Sequence, residues 1–155
     1  MGRLAIVSRP DPLLGLPRQM QSLRDAGIDT LVSMLAPDEA AAMGLADEGV
    51  AAIAAGMAFD MLPTTDFAVP PSFAVATQVI GRAAGDLRAG RSVGAHCFAG
   101  RGRSPLFIAA LMVHEGCAPG DAIDAVSAAR GRRVPETAEQ QQWVADYADW
   151  CRANS

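Results

Sequence analysis

Lysine is missing from the chain altogether, so all 13 of its basic residues are arginine. That absence excludes a nucleotide loop of the Gly-Lys-Ser/Thr kind, whose lysine reaches the terminal phosphates. Cysteine is scarce and odd in number, at positions 97, 117 and 151. Such a set cannot build a disulfide scaffold and suits a reducing compartment. Long apolar runs are lacking too: Leu4 to Val7 is far too short for a signal peptide or a membrane span. The expectation is a cytoplasmic protein with no stable membrane association. A formal net charge of −4 leaves no broad basic face for nucleic acid, so an anionic substrate would have to be drawn by local charge.

What is present is ordinary globular material. The chain has 155 residues, half of them hydrophobic and 19% charged, which predicts one compact domain over residues 1–155. Strand-like and helix-like stretches alternate. Leu4–Val7 reads as a strand, followed by turn chemistry at Pro10-Asp11-Pro12. A helix opens at Pro17 and stops at Gly27; Ile28–Leu35 is a strand, Asp38–Met43 a short helix and Leu45–Ala55 another, and Met57–Leu62 a further strand. Ser72–Ala89 is a long helix, 92–96 a strand and 105–115 a helix; one more helix runs from Pro119 to near Gly131, and the last spans roughly 137–152. This alternation predicts an α/β fold with a mainly parallel central sheet of about four to five strands flanked by helices. Trp143, Tyr147 and Trp150 form a stripe at helical spacing that reads as core packing.

The chemistry concentrates in His96-Cys97-Phe98-Ala99-Gly100-Arg101-Gly102-Arg103-Ser104, between the strand at 92–96 and the helix opened by Pro105. Proline belongs in a helix's first turn, so the loop is a helix N-terminus with unpaired amides and the positive end of the dipole. Gly100 and Gly102 let successive N–H groups curl inward around a tetrahedral anion, and Arg103 offers a planar fork to two of its oxygens. The same donors favour the thiolate of Cys97 over its thiol. A phosphate cradle with a nucleophilic sulfur at its base is a phosphoryl-transfer site.

Cys97, five residues and Arg103, with His96 before and Ser104 after, resembles the signature loop of the cysteine-dependent protein tyrosine phosphatases, in particular their dual-specificity branch. The resemblance implies hydrolysis of phosphate monoesters through a cysteinyl-phosphate, with no cofactor and no metal. Cys97 would be the nucleophile, and the segment Phe98, Ala99, Gly100, Arg101, Gly102, Arg103 the phosphate cradle. Ser104 would stabilise the departing thiolate, and His96 would support the loop by bonding its backbone. Asp66, 31 positions before Cys97 in the proline-rich segment Pro63–Pro71, matches the general acid; Asp60, inside a strand, is its less favoured rival. Gln140, in a run of three glutamines, matches a water-orienting residue.

The implied substrate is a phosphorylated protein or a small anionic phosphoester. Arg101 resembles the extra basic residue of phosphoinositide phosphatases, but Phe98 stands where those enzymes usually carry a second one. A phosphoinositide or inositol phosphate phosphatase is therefore the alternative enzyme, and a non-catalytic phosphate-binding module the alternative of another class. Arg130, Arg132 and Arg133 read as a solvated loop that could attract anions if it rims the pocket. His114 and Cys117 lack further ligands at metal-binding spacing. Oligomeric state is not legible.

Overall fold

The computed structural model describes residues 2–155. Four parallel strands, β1 (Leu4–Ile6), β2 (Thr30–Ser33), β3 (Ala58–Met61) and β4 (Val93–His96), form one sheet in the order β1-β4-β2-β3. The chain lays down β1, β2 and β3 and then inserts β4 between the first two. β4 is consequently buried along its whole length. The sheet is thus an α/β sheet at the lower end of the expected strand count and parallel throughout. Between β1 and β2 run a single 3₁₀ turn (Pro12–Leu14) and α1 (Leu16–Asp25). The β2–β3 connection carries α2 (Pro37–Ala42) and α3 (Glu48–Ala54), and α4 (Phe73–Arg88) returns the chain to β4. Helices α5 (Arg103–His114), α6 (Pro119–Arg130) and α7 (Ala138–Ala153) follow.

Because side chains alternate across a strand, β2 feeds two cores, while β4 gives Val93 and Ala95 to the larger of them. Val32, Val93 and Ala95 point into the larger one, built with Leu106, Phe107, Leu111, Ile80, Val126 and Tyr147 from α4 to α7. Leu31 points the other way, to Met20, Ile28, Ala52 and Met57 on the α1 and α3 side. α5 is buried on nearly every side, from Arg103 to Leu111, which explains its unbroken apolar sequence. The stripe Trp143, Tyr147, Trp150 packs around Phe73 in tilted contacts, with ring centroids 5.0 to 6.1 Å from it, so it is core as expected.

Strand ends came out shorter than their apolar runs. Ile28 and Leu35 are buried but lie outside β2, because flanking turns and loops are buried here as well. Conversely α5 begins two residues before Pro105, at Arg103. The first turn of a helix has no intrahelical partner for its N–H groups, so Pro105 fits at its third position as well as at its first. Parallel strands leave all four connections out of their C-terminal ends on one edge, and there the chemistry-bearing residues meet.

Candidate active site

β4 delivers Cys97 from the middle of the sheet, and Arg103 and Ser104 are the first two residues of α5. Cys97 is 4% exposed and its sulfur lies 3.2 Å from the Ser104 hydroxyl. Burial pushes the Cys97 thiol up. The Ser104 hydroxyl, the Ser104 and Gly100 amides and the charge of Arg103 together outweigh it, holding the thiol below its ordinary value. Between the two ends, Gly100 turns the loop with φ of 68°, a left-handed conformation that glycine adopts freely. A Cβ at Gly102 would stand 2.8 Å from the Gln140 side chain, so that residue is also restricted to glycine unless Gln140 moves. Phe98 (49% exposed) and Arg101 face outward, and the Arg9 guanidinium sits 4.3 Å from the centre of the Phe98 ring.

Arg103 is fully buried, yet its guanidinium is held from several sides. Nη1 and Nη2 donate to the two carboxylate oxygens of Glu39 at 2.7 and 2.9 Å, and Nη1 also donates to the Thr64 carbonyl at 2.8 Å. Asp66 Oδ1 lies 3.2 Å from Nη2. Burial disfavours the charged arginine, but Glu39, Asp66 and the Cys97 thiolate more than compensate and keep its pKa raised. In turn, the bond from Arg103 draws the Glu39 carboxyl below the usual carboxylate range. One group of this clamp is left over. Arg103 Nε is buried and has no hydrogen-bond partner among the described residues. A buried donor of this kind in an anion cradle suits an oxyanion acceptor.

Asp66 is in the β3–α4 connection, 46% exposed on its side chain, and its Oδ1 accepts from the Phe67 amide at 3.0 Å. Phe67 holds φ of 62°, unusual for a residue with a Cβ and a mark of local strain beside Asp66. α7 fastens this connection. Gln140 Nε2 donates to the Ala68 carbonyl at 3.1 Å and Trp143 Nε1 to the Pro70 carbonyl at 3.2 Å. Gln140 is 1% exposed, and its Oε1 accepts from the Thr137 amide in a capping box. Asp60, by contrast, pairs with Arg82 at 2.7 Å.

Two expectations need correction. His96 does not bond the loop backbone: the alternation of β4 turns its ring towards the α3 side, where Nε2 pairs with the buried carboxylate of Glu48. Nor is Arg130 part of a solvated loop. It closes α6, and its Nε and Nη2 donate to the Gly100 and Ala99 carbonyls of the cradle, at 2.9 and 3.4 Å. Of its neighbours, Arg133 pairs with Asp124 at 2.7 Å and Arg132 is exposed. Glu39, Glu48 and Thr64 escaped sequence reasoning. Glu39 stood in a helix-capping position, and nothing local distinguishes a capping glutamate from one that also reaches an arginine 64 positions on.

Residues 8–117 match the family model described as polymorphic toxin system, DSP-PTPase phosphatase. The chain belongs to this family. It is therefore a phosphatase of the dual-specificity and protein tyrosine phosphatase type. Solved structures agree in fold. Kinase associated phosphatase (KAP), with its catalytic-site cysteine substituted by serine, is 21% identical over 88% of this chain and 78% of its own, with a TM-score of 0.80. PTPMT1 in complex with PI(5)P is 21% identical over 98% and 94%, with a TM-score of 0.79. Human DUSP28 is 22% identical over 98% and 95%, with a TM-score of 0.69. A search of curated protein sequences gave no match. Among the described residues no helix is long and apolar enough to cross a membrane.

Proposed function

We propose that this phosphatase hydrolyses phosphate monoesters, phosphotyrosine and phosphoserine/threonine of proteins foremost, through a covalent intermediate on Cys97. The carrying observation is a thiol held below its ordinary value by the donors at the foot of the α5 N-terminus, beside an arginine fixed in place with Nε unpartnered. A thiolate so placed attacks phosphorus in line: the S–P bond forms as the ester P–O bond breaks. The loop amides, those of Gly100 and Ser104 among them, and the fork of Arg103 hold the three equatorial oxygens, where charge is spread in the transition state. Asp66 gives its proton to the leaving oxygen. In the second step water attacks phosphorus, Asp66 takes up the water's proton and the P–S bond breaks. Ser104 donates its hydrogen bond to the departing thiolate.

Gln140 enters this reading as a positioning residue. It ties the Asp66 connection to α7 through Ala68, and its remaining N–H is available to a water in the second step. The half-exposed rings of Phe67 and Phe98 offer apolar surface to an aryl group. The cytoplasmic setting inferred from cysteine usage belongs to the same proposal. Exposed Arg101 favours a second reading, an inositol phosphate or phosphoinositide substrate, because it adds a cation to the outer face of the loop.

The test is aryl phosphate hydrolysis across pH with chelator present, by the native protein, Cys97→Ser and Asp66→Ala. The expected outcome is turnover by the native protein, none by Cys97→Ser, and loss of the basic limb of the profile in Asp66→Ala. Binding of phosphate without turnover of any phosphoester would replace the enzyme by a phosphate-binding module. Phosphopeptides set beside inositol phosphates and phosphoinositides decide between the two substrate readings.

A further inference from the structure

We infer that Arg130, at the end of α6, is a positioning residue that sets the inward direction of the cradle's amides by holding the Ala99 and Gly100 carbonyls from outside. This rests on the phosphatase reading of the cradle. A trans peptide unit points its C=O and its N–H in opposite directions. Among the described residues the non-trans peptide bond is Val134–Pro135, so the Ala99–Gly100 and Gly100–Arg101 units are trans. Drawing the Ala99 carbonyl towards Arg130 therefore sends the Gly100 N–H the other way, and that amide is one of those facing the Cys97 sulfur. Drawing the Gly100 carbonyl towards Arg130 turns the Arg101 N–H inward in the same manner.

The loop needs such a hold. Its outer side borders a cavity of about 520 Å³ lined by Ile6, Arg9, Phe98 and Gly100 on one side and Ala129 and Arg130 on the other. Ile6 reaches the turn from β1, its Cγ2 3.3 Å from where a Cβ on Gly100 would stand, but an apolar side chain cannot hold a carbonyl. Gly100, with its positive φ, is also the residue with the widest choice of conformation. A guanidinium suits the task because its planar fork can meet two successive carbonyls at once. The end of α6 is itself firmly placed. Gly131 caps the helix in the left-handed conformation, and Ser127 bonds both the N–H and the C=O of Val134 beyond it. No carboxylate among the described residues forms a salt bridge with Arg130, so it also lends the loop a positive charge.

Arg130→Met keeps the aliphatic stem and removes the fork; Arg130→Lys keeps the charge but cannot span both carbonyls; exposed Arg132→Ala is the control. Alkylation of Cys97 by iodoacetamide across pH and affinity for inorganic phosphate are read on each, with thermal midpoints recorded. In Arg130→Met the midpoint of the alkylation profile should move to higher pH by about one unit, a tenfold lower rate at pH values below both midpoints, and phosphate should bind about tenfold more weakly. Arg130→Lys should recover part of the alkylation shift but little of the phosphate affinity, and Arg132→Ala should match the native protein. A native alkylation profile and native phosphate affinity in Arg130→Met would overturn the inference. If Arg130→Met does not fold, Arg130→Lys decides: native phosphate affinity there would overturn it equally. Neither readout needs turnover, so a failed phosphatase reading shows separately, in the native protein's own hydrolysis assay.

Discussion

A thiol buried as deeply as that of Cys97 would ordinarily be inert, because a charge withdrawn from water is costly. Here local donors reverse that balance, and the Ser104 hydroxyl contributes most among them. Hydrogen bonds to charged groups contribute roughly 1.5–3 kcal/mol. Ser104→Ala should accordingly lower kcat by about 10- to 100-fold. Since the bond helps the sulfur to leave, the loss should fall on the second step, and rapid-quench measurement with an aryl phosphate should show a burst of leaving group followed by slow turnover. Loss of the burst phase together with slowed first-step chemistry would place Ser104 in the attack instead. At this scale the sequence was legible wherever neighbours along the chain are neighbours in space: Cys97, Arg103 and Ser104 share one loop and one helix turn. Asp66 and Gln140 were legible through resemblance. Glu48 was not, because its partnership with His96 joins an α3 residue to a β4 residue and leaves no local mark.

Among the elements, the shortest helices do the least expected work. α2 and α3 look in the sequence like small-residue connectors, and their alanines gave no hint of a site. Yet α2 presents Glu39 to Arg103, and α3 presents Glu48 to His96. The start of α2 was legible to within one residue because Pro37 marks it, whereas α3 begins at Glu48, three residues after Leu45, with no proline to mark it; the tasks were not legible, since they depend on the crossover that inserts β4 between β1 and β2. Glu39→Gln keeps the size and the cap but removes the charge opposite a buried guanidinium. Breaking a fully buried pair costs about 3–5 kcal/mol. With Glu39 itself 21% exposed, a loss of about 1–3 kcal/mol is expected in denaturant titration at neutral pH. The sign of its pH dependence follows from the depressed carboxyl. The contribution of ionised Glu39 is fully present above the unfolded carboxyl's value of about 4.3 and is lost as pH falls through the lower folded value. The stability gap between native protein and variant should thus be widest at neutral pH and close under strong acid. An equal gap at every pH would assign Glu39 a packing role only.

α7 works at longer range, clamping the connection that carries Asp66. Trp143→Phe would keep a ring in the stack with Phe73 and Tyr147 while removing the donor to the Pro70 carbonyl. A loosened acid matters most when the leaving group is a poor one. The variant should therefore lose about fivefold in kcat on an alkyl phosphate and little on an activated aryl phosphate, a bond to a neutral carbonyl being worth roughly 1 kcal/mol. Equal losses on both substrates would point to damage in the cradle rather than in the acid.

Taken as a whole, the molecule is acidic but gathers donors and positive charge at one spot, the C-terminal edge of its sheet, and there the thiolate and a bound phosphate compete. Both are anions in the same cradle, so each disfavours the other. The depressed thiol of Cys97 contributes stability that grows as pH rises from its folded value towards the ordinary thiol value of about 8.5, and contributes none below the folded value. Replacing the sulfur by a neutral hydroxyl removes that term and leaves the donors free for the ligand. Inorganic phosphate should thus raise the thermal midpoint of Cys97→Ser more than that of the native protein at pH 7. At about 100 times its Kd a ligand adds about 2.7 kcal/mol, which for a chain of this length is a rise of roughly 5–10 °C. Arg103→Met should abolish the rise in either background. A Cys97→Ser protein indifferent to phosphate, while native protein responds, would mean that the anion sits elsewhere and that the loop's donors serve the sulfur alone.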